Sequence, residues 1–216
     1  MYSSTCDFCN ELTNNTNNLF SELLAGQRIS RVIAAKGELR LVPSLGEIIP
    51  GHMLIVPTYH VTSSTLLTPD DKTALRDIFQ HVQRIFVAAN GQCPTAFEHG
   101  DPTGSEVFSG QCVSHAHIHI LPTYVDMLSI LHDERRFLFS ALLSDDVPVS
   151  EPYLSIIDGN GWVHYFSAVG ALRQYLRALY AKQVGQHDAQ DWYRRIDTTK
   201  TLESLTKYAQ LFKNMQ

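Results

Sequence analysis

The run Ser114-His115-Ala116-His117-Ile118-His119-Ile120-Leu121, ended by Pro122, constrains the fold more than any other part of the chain. Histidine alternates with small or apolar residues, and a period of two belongs to a β-strand, whose successive side chains point to opposite faces. A strand from Cys112 to Leu121 puts His115, His117 and His119 on one face and Ala116, Ile118 and Ile120 on the other. The apolar face needs a covering layer. The segment Pro69 to Asn90 supplies it, because Leu75, Ile78, Phe79, Val82, Ile85, Phe86 and Ala89 recur at helical spacing. Thr68 is the expected N-cap, Pro69 opens the helix, and Asp70 and Asp71 occupy the first turn, where negative charge is favoured.

Further strands are expected from Arg28 to Ala35 and Glu38 to Val42, turning at Lys36-Gly37, and from Thr95 to Glu98. His52 to Pro57 is apolar on both faces after its histidine, as in a central strand. Tyr153 to Ile157 and Trp162 to Phe166 form a hairpin around Asp158-Gly159-Asn160-Gly161. Helices are expected near Leu19 to Ala25, along Val169, Leu172, Leu176, Leu179 and Tyr180, and over Thr199 to Lys213. This order predicts an α+β chain in which a mainly antiparallel sheet packs on the long helix. A core domain over 1–124 is followed by a mixed α/β C-terminal extension over 125–216, packed on it. Arg173 and Arg177 fall on the polar side of the Val169 helix, from which they could reach a ligand's phosphates, but read as a solvated face, and Trp162, Trp192 and Tyr193 read as packing residues rather than a base-stacking platform.

Seventeen basic and twenty-two acidic side chains give a net charge of −5, which disfavours a nucleic acid polymer as partner but allows a small phosphorylated ligand in a local pocket. No signal peptide and no run of ~18 apolar residues is present, so a cytoplasmic protein with no membrane partner is expected. A reducing compartment keeps Cys6, Cys9, Cys93 and Cys112 as thiols or metal ligands. Cys6 and Cys9 form a C-x-x-C pair, which supplies half of a tetrahedral metal site and also suits redox chemistry. The aligned histidines have two chemical readings: nucleophilic catalysis by a neutral imidazole, or a metalloenzyme with three histidine ligands.

The segment Gly110-Gln111-Cys112-Val113-Ser114-His115-Ala116-His117-Ile118-His119-Ile120-Leu121-Pro122 resembles the signature of the histidine triad superfamily. Pro50-Gly51-His52-Met53-Leu54-Ile55-Val56-Pro57-Thr58-Tyr59-His60 resembles that family's other characteristic strand. The resemblance implies a histidine triad fold acting as a nucleotide hydrolase or nucleotidyltransferase at the α-phosphate of a nucleoside phosphate, such as a dinucleoside polyphosphate, a phosphoramidate or a nucleotide sugar. His117 is then the nucleophile that forms a nucleotidyl-histidine intermediate, His119 and His52 flank the phosphate, and Gly110, Gln111 and Cys112 cradle it. In the zinc-containing branch of the family, the positions matching Cys6, Cys9, His60 and His115 hold a structural zinc. A homodimer is implied in the same way.

The chain also departs from the family pattern. Cys112 stands where many relatives carry a serine that assists the leaving group, and a thiol is a weaker donor. No acidic residue for the ribose hydroxyls is evident around Pro43-Ser44-Leu45-Gly46, and Thr123 replaces an arginine. These departures leave a second functional class open, a nucleotide-binding regulatory module with weak or no turnover.

Overall fold

A computed structural model describes residues 5–13, 18–23, 30–104 and 113–212. Among these residues eight strands run in chain order as β1 (Ala34–Lys36), β2 (Leu39–Pro43), β3 (Met53–Pro57), β4 (Thr95–Gly100), β5 (Ile118–Leu121), β6 (Phe137–Leu142), β7 (Tyr153–Ile157) and β8 (Trp162–Ser167). They form one sheet in the order β1-β2-β3-β5-β4-β7-β8-β6. Every pairing is antiparallel. Among the described residues six α-helices accompany it: α1 (Asp7–Leu12), α2 (Leu19–Leu23), α3 (Pro69–Asn90), α4 (Met127–Glu134), α5 (Tyr175–Gln183) and α6 (Thr198–Leu211). The α+β class and antiparallel sheet expected from the sequence are those of the structure. No helix among the described residues is long and apolar enough to cross a membrane.

Alternation along the strands gives the sheet two buried faces. Leu39, Leu41, Met53, Ile55, Ala96, Ile118 and Ile120 form a core with Ala74, Leu75, Ile78, Phe79, Val82 and Phe86 of α3, closed by Tyr208 and Phe212 at the end of the chain. Local chemistry sets the limits of α3. Thr68 Oγ1 accepts the Asp71 N–H at 3.2 Å at one end, and Gly91, at φ 73°, ends it in the left-handed conformation that costs glycine least.

On the opposite face, Val42, Leu54 and Val56 pack with Cys6, Phe8 and Cys9 around α1. Farther along, Phe97, Leu121, Leu154, Ile156 and Phe166 pack with Met127 and Leu131 of α4 and Leu176, Tyr180 and Ala181 of α5. This second face carries the site. The strands after residue 124 extend the same sheet, because β7 pairs with β4 along its length, from Ala96↔Ile157 to Gly100↔Tyr153.

Several elements differ from the sequence expectation. β1 is short, and its turn lies at Gly37-Glu38, with Gly37 at φ 54°. The histidine strand begins only at Ile118, so His115 and His117 precede it. Hydrogen bonds outside the ladder hold that lead-in: the Ala116 N–H donates to Val61 O at 2.7 Å, and His115 Nε2–H to Pro57 O at 2.9 Å. α4 and β6 had no counterpart in the sequence reading. The Val169 helix begins at Tyr175, leaving Val169 and Leu172 exposed. The Arg28 end of the first expected strand and the Ala25 end of the first helix lie outside the described residues.

Candidate functional site

β5 and β3 are neighbours, with Leu54 opposite His119, and on the other side Phe97 of β4 is also opposite His119. That register puts the His119 imidazole on the second face of the sheet, where the Phe97 ring stacks on it with centroids 4.8 Å apart. His52, just before β3, is fully buried, and its Nε2 lies 2.8 Å from His119 Nδ1. The Ile48 N–H donates to His52 Nδ1 at 3.3 Å. A backbone N–H can only donate, so the ring proton of His52 sits on Nε2, donates to His119 Nδ1, and places the His119 proton on Nε2.

His117 is oriented by its own backbone. Its Nδ1 is 2.7 Å from His115 O, and since a carbonyl only accepts, Nδ1 carries the proton and Nε2 keeps the lone pair. The His117 and His119 rings are 4.9 Å apart. Burial, then the Arg177 and His117 charges, holds His52 well below the ordinary histidine range. Burial followed by the charges of His117, His52 and Arg177 does the same for His119. For His117 burial again dominates; the bond to His115 O opposes it, and the Arg177 charge adds to it. The three rings are therefore neutral at pH 7, which suits one as a nucleophile and the other two as hydrogen-bond donors.

His115 faces away from this group. Its Nδ1 lies 3.3 Å from Cys6 Sγ and 3.6 Å from Cys9 Sγ, while Cys9 Sγ lies 3.5 Å from His60 Nδ1. All four ligand atoms fall within 4.8 Å of one another. Zinc–sulfur bonds of about 2.3 Å and zinc–nitrogen bonds of about 2.0 Å in a tetrahedron require ligand atoms roughly 3.3–3.8 Å apart, a range that holds the separations of 3.3, 3.5 and 3.6 Å. The His115 bond from Nε2 to Pro57 O leaves Nδ1 as its free ligand atom. Burial, with Cys9 nearby, pushes the Cys6 thiol up to about 11, so a bound cation is what would keep it as thiolate. The two sulfurs come from the start of α1 and the two imidazoles from segments beside β3 and β5.

The cavity next to His117 and His119 has walls from both halves of the chain. Asp7 and Phe8 of α1, Phe20 of α2, Arg31, Ser44, Leu45, Leu54 and Phe97 form one side. Gln174, Leu176, Arg177 and Trp192 form the other. Arg31 is held by Glu11 through two bonds of 2.6 and 2.7 Å and packs over the Phe8 and Phe20 rings.

Arg177 is a correction to the sequence reading. It is 4 % exposed, because α5 starts six residues later than the Val169 stripe suggested and its buried side therefore includes Arg177 beside Leu176. Trp192, expected to pack, lines the cavity, whereas Trp162 is 43 % exposed. Spacing within the shorter stripe Leu176, Tyr180, Ala181 would have found the buried side. Gly110, Gln111 and Cys112 lie outside the described residues.

Residues 27–126 match the model of the HIT domain family. Among solved structures, the chain is similar to a zinc-bound histidine triad family protein from Mycobacterium smegmatis, with 15 % identity, 56 % of this chain and 77 % of that one covered, and a TM-score of 0.42. A HIT family protein from Bacillus anthracis gives 16 % identity, 57 % and 77 % coverage and a TM-score of 0.43. A yeast Ap4A phosphorylase solved in complex with AMP gives 16 %, 68 % and 63 %, and 0.41. Both histidine segments, Pro50 to His60 and Gly110 to Pro122, lie within residues 27–126, and it is this part of the chain that is similar to the HIT domain family.

Proposed function

We propose that the chain binds a nucleoside phosphate in the cavity beside His117 and cleaves it at the α-phosphate, as a nucleotide hydrolase or nucleotidyltransferase. The observation that carries this reading is the 2.7 Å bond from His117 Nδ1 to His115 O, which leaves Nε2 as a lone-pair nitrogen on a residue that lines the cavity. Nε2 attacks the phosphorus, a P–N bond forms, and the bond to the leaving group breaks with its electron pair on that group, which takes a proton from solvent. The imidazole then bears a positive charge, which the carbonyl of His115 stabilises through Nδ1–H. Water or another acceptor attacks the same phosphorus, loses a proton to solvent and returns the P–N electron pair to Nε2. His119, held in its tautomer by His52, donates Nε2–H to a phosphate oxygen as charge develops there. Gly110, Gln111 and Cys112 complete the phosphate cradle in this reading, by resemblance alone.

Cys6, Cys9, His60 and His115 hold a zinc ion in this reading. Four protein ligands leave no open position, so the metal serves to tie α1 to the residue two places before the nucleophile. In the same reading the chain is a homodimer, by resemblance alone, and works in the cytoplasm.

The test is rapid-quench trapping with substrate labelled at the α-phosphate. Wild type should give an acid-labile, base-stable adduct on His117, and His117→Ala should abolish turnover with substrate affinity held within about tenfold. Label on another residue, or near wild-type turnover by His117→Ala, removes His117 as nucleophile. Nucleotide binding with no turnover of any substrate would instead leave the regulatory binding module.

A further inference from the structure

The extension beyond the matched residues 27–126 puts a permanent charge in the triad cavity. Arg177 of α5 is buried, yet lines that cavity together with His117 and His119. Its Nε–H donates to Ala189 O at 2.8 Å and its Nη2–H to Gly46 O. These carbonyls orient the guanidinium plane. Bonding two carbonyls does not call for an ion, since neutral donors do the same; what arginine adds is positive charge on the cavity that His117 and His119 also line.

The backbone around Arg177 is built to keep it there. Gln174, immediately before α5, is the one non-glycine residue at positive φ among the described residues, at φ 60°. A conformation that costs a non-glycine residue roughly 1 kcal/mol or more persists where its surroundings over-determine it. The surroundings do so here: Gln174 Oε1 accepts the Trp192 N–H at 3.0 Å, and both residues line the cavity. Gly46, whose carbonyl holds Arg177, packs so closely on the Trp192 backbone that a Cβ at this position would lie 3.0 Å from Trp192 Cα. The loop before His52, the start of α5 and the segment at Trp192 are thus locked to one another around the guanidinium.

We propose that Arg177 is an anion-recognition residue of the triad cavity, holding a phosphate oxygen of the bound nucleotide. The inference rests on the nucleotide reading above and deepens it: the ligand class is an ionised nucleoside phosphate, and the extension as well as the family core recognises it. Charge-assisted bonds from a guanidinium to phosphate are roughly twice as strong as neutral ones, so this contact separates a nucleotide from its nucleoside.

Titrations of AMP and adenosine, read by calorimetry, test it. Wild type should prefer AMP, and Arg177→Gln should weaken AMP ten- to a hundredfold while changing adenosine less than about threefold. Arg177→Lys keeps the charge without the fork and should give an intermediate preference. On wild-type protein, the Arg177 Nε–H resonance, assigned by its loss in Arg177→Lys, should move with AMP and stay with adenosine; this readout stands even if Arg177→Gln does not fold. Equal weakening of both ligands, an unchanged AMP preference, or a resonance that AMP does not move overturns the inference and leaves the nucleotide reading intact. Wild-type protein that binds neither ligand overturns both.

Discussion

His52 Nε2 donates to His119 Nδ1 across 2.8 Å, and the Ile48 N–H donating to His52 Nδ1 gives that bond its direction. His119 therefore presents an N–H at Nε2 without needing to be charged. Replacing His52 by alanine removes the donor and leaves both tautomers of His119 accessible. Turnover should fall about ten- to a hundredfold with KM changed much less. Nitrogen-15 shifts of the His119 ring check the cause, since wild type should show protonated Nε2 and His52→Ala a mixture. A single unchanged tautomer in the variant would show that His52 does not set it.

The Cys6, Cys9, His60 and His115 ligand atoms make the metal prediction quantitative in stoichiometry. Protein purified without chelator should carry about one zinc per chain, and Cys6→Ser with Cys9→Ser should carry none. Loss of metal should lower the melting temperature by several degrees, on the order of 5–10 °C. His115→Ala should behave like the double cysteine variant, whereas His117→Ala should keep its zinc. Metal-free protein that takes up no added zinc would rule the site out.

What the sequence shows of this molecule depends on how local the determining contacts are. α3 was legible to the residue because Thr68, Pro69 and the apolar stripe all act within the helix itself. β7 and β8 were legible for the same reason, their turn being written in Asp158-Gly159-Asn160-Gly161. β6 was not, since it shows no regular alternation of buried and exposed residues and its register with β8 shifts between Phe137 and Phe139. The triad face followed the same division. His119 follows from strand alternation, but His115 turns away from it through bonds to Pro57 and toward Cys6, contacts 58 and 109 residues distant. The Arg177 wall is farther still from local rules, because its bond to Gly46 spans 131 residues and the start of α5 depends on Gln174 docking against Trp192.

Glu47 gives a pH prediction with a definite sign. Burial raises its carboxyl from 4.5 to about 7, with the Ser204 hydroxyl, the Gly51 N–H and the Lys200 charge only partly offsetting it. The folded chain therefore holds a proton that the unfolded chain has lost, and stability falls as pH rises from 4.5 through about 7. Glu47→Gln keeps a side-chain oxygen for the Gly51 N–H and removes the ionisation. Its stability gain should be on the order of 3 kcal/mol at pH 8 and vanish near pH 4.5. Urea unfolding of both proteins at the two pH values decides it; a gain independent of pH would mean that packing rather than charge is responsible.

Gly46 joins the two walls of the cavity through the Trp192 backbone and the Arg177 side chain. A Cβ at this position meets Trp192 O inside contact distance, with Trp192 C and Cα both at 3.0 Å, and backbone atoms give way less readily than a side-chain tip. Gly46→Ala must therefore push the Trp192 segment outward or shift the loop that leads to His52. Overpacking of this kind costs about 1–3 kcal/mol. The displacement also loosens the carbonyl that orients Arg177, so AMP affinity should fall more than adenosine affinity, in the same sense as Arg177→Gln but less. Tryptophan fluorescence offers an independent check, because Trp192 lines the cavity whereas the other tryptophan, Trp162, lies exposed on β8. An alanine variant with wild-type stability and an unshifted Trp192 emission would show that the loop and the extension are not clamped at this point.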